Sequence, residues 1–297
     1  MSTSRTIVLP RRPAAGRQYL RAALGAVPMP GPLSRRRTAL PERTAELTGL
    51  RVDRDNLADY TRACGLRFGD TLPITYPFTL TFPVIMELII ARDFPFSAVG
   101  AVHAENLITQ ERPISTSEPL DIRARTANLR EHPKGLLVDA ISEISVGREP
   151  VWRQVTTFLH QQRTSLSDAP RSAPKSDQAP PPPLRRLQVD QSIIDRYAAA
   201  SGDRNPIHTS TLGAKAFGFP ATIAHGMWEA AAVLAAVEGR IPDQVRYQVK
   251  FGKPVLLPAT LNLYADPVDG PDGTGWDLAL RHPTKGYPYL TGTLRAG

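Results

Sequence analysis

The 297-residue chain has a single cysteine, Cys64, so no disulfide can form within it, and a reducing compartment is expected. No apolar run reaches the ~18 residues of a membrane-crossing helix, so no membrane span is expected. A continuous apolar core of a secretory signal is also missing near the start, which argues against secretion and for a cytoplasmic protein. Cys64 and the six histidines show none of the spacings of a zinc site, and no metal is expected. Acidic residues are nearly absent from the first 45 positions, which hold nine arginines against Glu42. The net charge of +8 therefore resides in that segment, and the rest of the chain is formally neutral, with 27 basic residues (36 − 9) and 27 acidic ones (28 − 1). A nucleic-acid binder would carry a basic stripe with interleaved aromatics on its folded face, so a nucleic-acid partner is not expected.

The Arg-rich leader also departs from a transit peptide, because Pro28, Pro30 and Pro32 would interrupt an amphipathic helix. It reads as a surface extension over 1–45, with contact to an anionic partner as the alternative. A second low-complexity stretch, 163–186, is rich in proline and serine and reads as a semi-rigid linker. It separates two stretches, 46–162 and 187–297, of similar organisation.

Those stretches align on each other. "LRVDRDNLADYTRACG" (50–65) matches "LQVDQSIIDRYAAASG" (187–202) at an offset of 137 residues, as in Val189 against Val52. Asp53 and Asp190 are candidate helix N-caps, and Gly65 and Gly202 candidate stops. Between them, Leu57, Tyr60, Thr61 and Cys64 share the helical spacing of Ile194, Tyr197, Ala198 and Ser201. The same offset carries Phe82-Pro83 onto Phe219-Pro220. A mostly apolar, hence buried, helix is then predicted in each unit, at "VIMELIIARDF" (84–94) and "HGMWEAAAVLAAVEGR" (225–240). Four strand-like segments follow in each. The pattern predicts an α+β duplication: an antiparallel sheet around one buried helix, occurring twice, the two sheets joined edge to edge.

The units differ in chemistry. At the constant offset Asp203 faces Leu66, Asn205 faces Phe68, His208 faces Thr71, His225 faces Leu88 and Gly226 faces Ile89. A turn alone would need similar residues in both copies, so the polar set in "GDRNPIH" (202–208) points to function. Pro206 disfavours helix at Asn205, and residues 203–208 are expected to be irregular. Asp203 and His208 can then share one water, orient it and accept its proton. Asn205 either fixes that geometry or bonds the local backbone as an Asx turn, the latter being favoured. If the buried helix starts near His225, the Gly226 N–H has no intrahelical partner and can hold a developing oxyanion; easing helix packing is the alternative role. His225 is expected to be a structural or positioning histidine, not a second catalytic one.

"YAAASGDRNPIH" (197–208) followed by "IAHGM" (223–227) resembles the hydratase 2 motif of the MaoC-like dehydratase family, the R-specific enoyl-thioester hydratases and 3-hydroxyacyl-thioester dehydratases. That resemblance implies a double hot-dog fold. It implies a catalytic second half, with Asp203 and His208 on the catalytic water and Gly226 at the oxyanion. The first half would be an adapted acyl-chain binding half, and Leu66, Phe68, Leu88 and Ile89 suit its loss of chemistry. It implies reversible R-specific hydration of trans-2-enoyl thioesters without metal or cofactor. The substrate would be a thioester of coenzyme A or acyl carrier protein. A homodimer is left open, since the fused copies already provide the pairing of a hot-dog. A hot-dog acyl-thioesterase and a non-catalytic acyl-thioester binder are the alternatives.

Overall fold

A computed structural model describes residues 5–14, 18, 39–97, 101–168, 180–270 and 273–297. Most of the Arg-rich leader, including Pro28, Pro30 and Pro32, and the linker residues 169–179 lie outside the described residues.

Two short helices open the two units, and both are made by the residues that flank them. In α1 (Arg54–Cys64) the Asp53 side chain accepts from the amides of Asp55 and Asn56, and Gly65 closes the helix at φ 70°. In α3 (Gln191–Ser201) Asp190 accepts from the Ile193 amide, and Gly202 closes it at φ 77°. Only residues that tolerate a left-handed backbone stop a helix this way without strain, hence glycine at both ends. The two helices pack on each other: Asn56 Nδ2 donates to Ala200 O at 3.0 Å, and the Tyr60 and Tyr197 rings stand 5.9 Å apart.

The central helices are α2 (Pro77–Ile89) in the first unit and α6 (Gly226–Ala232) in the second, the latter continued by a tighter turn at Val233–Ala236. Both are buried nearly all round, as their composition demands. The first begins seven residues before the expected 84 and ends at Ile89 instead of 94. Pro77 can open it because an N1 residue has no intrahelical partner for its amide. Pro83 is tolerated inside it because the acceptor it orphans, Thr79 O, receives the Arg12 guanidinium at 2.9 Å. Gln18 Nε2 donates to Pro83 O at 2.7 Å, so two residues of the leader brace this helix.

Strands β1 (Arg5–Val8), β2 (Arg43–Leu50), β3 (Val102–Gln110), β4 (Leu120–His132), β5 (Gly135–Val146) and β6 (Glu149–Gln161) belong to the first unit. Strands β7 (Arg185–Val189), β8 (Val245–Phe251), β9 (Ala259–Gly270), β10 (Gly273–Arg281) and β11 (Pro288–Ala296) belong to the second. All form one sheet in the order β1-β2-β4-β5-β6-β3-β8-β11-β10-β9-β7. Apart from the parallel β1–β2 pair, each neighbouring pair is antiparallel, and the order reads outward in the same way from the central β3–β8 pair except that β1 has no counterpart beyond β7. That pair joins Glu105 opposite Lys250 through Gln110 opposite Val245, so the halves meet edge to edge and the edge strands are consumed. The fold is the α+β double hot-dog. Strand β1 and the start of β2 fall within 1–45, and β7 starts within 163–186. The sheet therefore draws on segments whose composition reads as leader and linker.

One correction follows for the repeat. The offset of 137 holds through Gly202, then fails. The first unit's isolated bridge is Thr71 to Ser115 and the second's is Ile223 to Leu256, so Thr71 corresponds to Ile223, not His208. From Gly202 to Ile223 is 21 residues against six from Gly65 to Thr71, an insertion of 15 (21 − 6). Likewise Pro77, not Ile89, opens the helix that matches α6, and the Phe82-Pro83 match to Phe219-Pro220 joins a helix to a loop. Among the described residues, no helix is long and apolar enough to cross a membrane.

Candidate active site

The inserted segment leaves α3 at Gly202 and folds onto the start of α6. Asp203 Oδ1 accepts from the Asn205 amide at 3.2 Å, tightening the turn. Asn205 is extended, as a residue before proline should be, but residues 206–209 are not irregular: Pro206–Thr209 form one helical turn, α4. The expectation missed that a proline with its fixed φ is a favourable first helical residue. Asn205 caps this turn, its side-chain oxygen accepting from the Ile207 amide at 3.5 Å, the Asx arrangement. A further short helix, α5 (Thr211–Ala216), completes the insertion.

Helix α4 carries His208 to a fixed place. The Ile223 amide donates to Ile207 O at 3.1 Å, and His208 Nδ1 lies 2.8 Å from Ile223 O. A carbonyl only accepts, so Nδ1 bears the proton and Nε2 keeps its lone pair. Gln191 donates to His208 O at 2.9 Å and accepts from Thr222 Oγ1 at 2.6 Å, tying the insertion to α3. His225 Nε2 donates to Asp203 O at 2.9 Å, and its ring stacks on His208 with centroids 3.7 Å apart. His225 thus holds the Asp203 backbone and one face of His208.

Asp203, Asn205, His208 and His225 are all buried, and Gly226 is partly exposed at the first turn of α6. Burial depresses the His208 imidazole below its ordinary value, with the nearby Asp203 carboxylate opposing. Burial, then His208, pushes His225 down to about 3. Both rings are therefore neutral at neutral pH. Asp203, His208 and His225 bring one ligand-type atom each within 4.8 Å of one another, a cluster that the sequence spacing does not reveal. His208 Nδ1 and His225 Nε2 are already turned to carbonyl oxygens, which leaves one nitrogen on each of two rings stacked at 26°. The arrangement suits proton transfer better than metal binding.

Asp203, Asn205, His208 and Gly226 line one cavity of about 420 Å³, walled by both units. Phe82, Met86 and Ile89 of α2 and Phe158 of β6 give it apolar surface, while Lys134 and Lys253 add positive charge, Arg130 and Lys250 being ion-paired with Asp139 and Glu105. Of Leu66, Phe68, Leu88 and Ile89, which face the polar set at the constant offset, only Ile89 lines it. Phe68 is 48% exposed, Leu88 is in the core, and Leu66 packs against the core. In the first unit the corresponding helix opens on Pro77, which has no N–H.

Two cavity residues escape sequence reading. His103, on β3, lies among Phe78, Phe158 and Phe251, and burial lowers its imidazole to about 4. Nothing in its strand marks it, because only the β3–β8 junction brings it to the site. Glu229 is a buried carboxyl one turn beyond Gly226, and a lone acid in an apolar helix was its available signal.

One continuous sheet over two central helices, with a buried polar cluster at the start of the second, defines a two-copy hot-dog protein. The MaoC like domain family matches residues 173–276, which contain every residue of that cluster. Over 284 residues the chain is 52% identical to 3-hydroxyacyl-thioester dehydratase X of Mycobacterium tuberculosis, covering 96% of this chain and 99% of that protein. The crystal structure of HtdX from the same organism superposes with a TM-score of 0.77 at 51% identity, covering 86% of this chain and 100% of that one. A MaoC-like dehydratase from Phytophthora capsici, 18% identical, shares the fold with a TM-score of 0.67 over 88% of this chain and 97% of its own. The chain belongs to the MaoC-like dehydratase family.

Proposed function

We propose that this protein is a hydro-lyase that interconverts trans-2-enoyl thioesters and (R)-3-hydroxyacyl thioesters. The observation that carries the reading is that Asp203, His208 and Gly226 line one cavity. The relationship to 3-hydroxyacyl-thioester dehydratase X supports it.

In hydration the thioester carbonyl rests on the Gly226 N–H at the start of α6, where the positive end of the helix favours negative charge. Asp203 and the bare Nε2 of His208 hold a water against C3. The water oxygen bonds to C3 while its proton passes to the pair, and the C2–C3 π electrons move onto the carbonyl oxygen as an enolate. The pair then returns a proton to C2 on the same face. Dehydration runs backward: the pair removes the C2 proton and protonates the departing hydroxyl. His225 and Asn205 position the pair, and no step requires a cofactor. Fatty-acid metabolism in the cytoplasm is the proposed setting, which the unpaired, buried Cys64 suits. The positive residues beside the cavity suit the phosphate of a CoA or carrier-protein arm.

The test is the loss of enoyl absorbance with trans-2-enoyl-CoAs of four to sixteen carbons, then with carrier-protein thioesters. Wild-type turnover should fall about 100- to 10,000-fold in Asp203→Asn and in His208→Ala, the usual contribution of a positioned acid–base group. Free thiol released without hydration would favour a thioesterase. Binding without turnover of any substrate would sink the enzymatic reading.

A further inference from the structure

Helix α6 turns a second functional group toward the cavity. Glu229 follows Gly226 by three residues, which on an α-helix places both on one face about 4.5 Å apart along the axis. Both line the cavity, but Gly226 is partly exposed whereas Glu229 is 4% exposed, so the carboxyl lies on the deeper side. Its Oε2 has no hydrogen-bond partner among the described residues. The acid–base mechanism does not use it. A buried carboxyl would ordinarily be paired or bonded, because the group is costly to strip of water.

We propose that Glu229 is a hydrogen-bonding subsite of the cavity, selecting acyl thioesters whose chain carries a hydroxyl or keto oxygen over plain alkyl chains. The inference rests on the hydro-lyase reading and deepens it by naming a substrate class. Burial holds the carboxyl well above its ordinary range, so it is neutral and offers both a donor and an acceptor. A keto oxygen can accept from it, and a hydroxyl can accept from it or donate to it. Tyr289, also buried, lines the same cavity and adds a second polar group to that wall. A plain methylene chain gives the carboxyl no partner. Sites built to bond a substrate hydroxyl discriminate strongly against the analogue lacking it for this reason.

The test compares trans-2-enoyl-CoAs of one chain length, plain or bearing one hydroxyl or keto group at successive positions beyond C4. The wild type, Glu229→Gln and Glu229→Met are assayed, with thermal melts to establish folding. Wild type should prefer at least one oxygenated chain by roughly tenfold or more in kcat/KM. Glu229→Gln should keep a preference, and Glu229→Met should lose it while gaining on the plain chain. Equal kcat/KM for all chains in the wild type overturns the proposal and leaves the hydro-lyase reading standing. So does a Glu229→Met loss equal on plain and oxygenated chains, which would put the partner in the pantetheine arm or at the reacting carbons. Should Glu229→Met not fold, the wild-type and Glu229→Gln profiles decide alone. No turnover of any chain would instead remove the reading on which the inference rests.

Discussion

Replacing Gly226 by alanine keeps the backbone N–H of the proposed oxyanion site and adds one carbon. That carbon would stand 3.0 Å from Phe251 Cε1 and 3.2 Å from Cδ1 and Cζ. Carbon atoms prefer roughly 3.5–4.0 Å, so the ring or the start of α6 must move by several tenths of an ångström. Phe251 ends β8, paired with Leu290 of β11, which limits how far its backbone can yield. Overpacking of this kind costs about 1–3 kcal/mol. Losing an oxyanion donor outright costs about 3–4 kcal/mol, and a displaced donor should lose part of that. We expect kcat to fall roughly 10- to 100-fold in Gly226→Ala, with a smaller change in KM, in the enoyl-absorbance assay. Gly226→Pro removes the N–H and should approach the full loss. Adding Phe251→Leu to Gly226→Ala takes away the opposing ring atoms and should restore most of the rate, a coupling a double-mutant cycle measures. Wild-type turnover in Gly226→Ala would refute the reasoning. So would a cooperatively folded double variant no faster than Gly226→Ala.

Acid should reach the chemistry late. The proposed base must be neutral, and burial keeps His208 neutral below the ordinary imidazole value of about 6.5, so kcat/KM should stay level through that pH and fall only below it. An acid limb centred at or above 6.5 would count against the assignment. For stability the sign is that of a depressed base. His225 near 3 and His103 near 4 stay neutral in the fold while the unfolded chain takes up protons from about 6.5 downward. Their contribution is complete above 6.5 and is lost progressively as pH drops toward the folded values. The urea midpoint should therefore be lower at pH 5 than at 7.5, and the difference should shrink in His103→Phe; an unchanged difference would exclude His103 as a source. Finally, Arg12→Met should destabilise the protein by about 1–2 kcal/mol by orphaning Thr79 O, and Pro83→Ala should cancel most of that loss by restoring an amide donor. Additive melting shifts in the double variant would show that Arg12 does not substitute for the missing amide.

Local signals were legible where a residue's own chemistry shapes the nearby backbone. Asp53 with Gly65 and Asp190 with Gly202 bracket their helices as capping requires, and the alternating segments became strands within a few residues. Helix α2 starts earlier than the pattern predicts because Pro77 and Pro83 look like breaks, and the donor to the acceptor that Pro83 orphans, Thr79 O, comes from Arg12, 67 residues before Thr79. The constant offset ends at Gly202 for a related reason: an insertion keeps no register, so the bridges at Thr71 and Ile223 define equivalence where the offset does not.

The sequence by itself determined the duplication, the helix caps and the polar set Asp203, Asn205, His208, His225 and Gly226, since each depends on residue type and short spacing. Tertiary structure alone decided which nitrogen of His208 is free, because that follows from the Ile223 carbonyl 15 residues on. It alone set His225 against the Asp203 backbone, and brought α2, His103 of β3 and Glu229 to one cavity. Those placements depend on the β3–β8 junction and on burial, and both are properties of the assembled sheet that no local stretch of chain encodes.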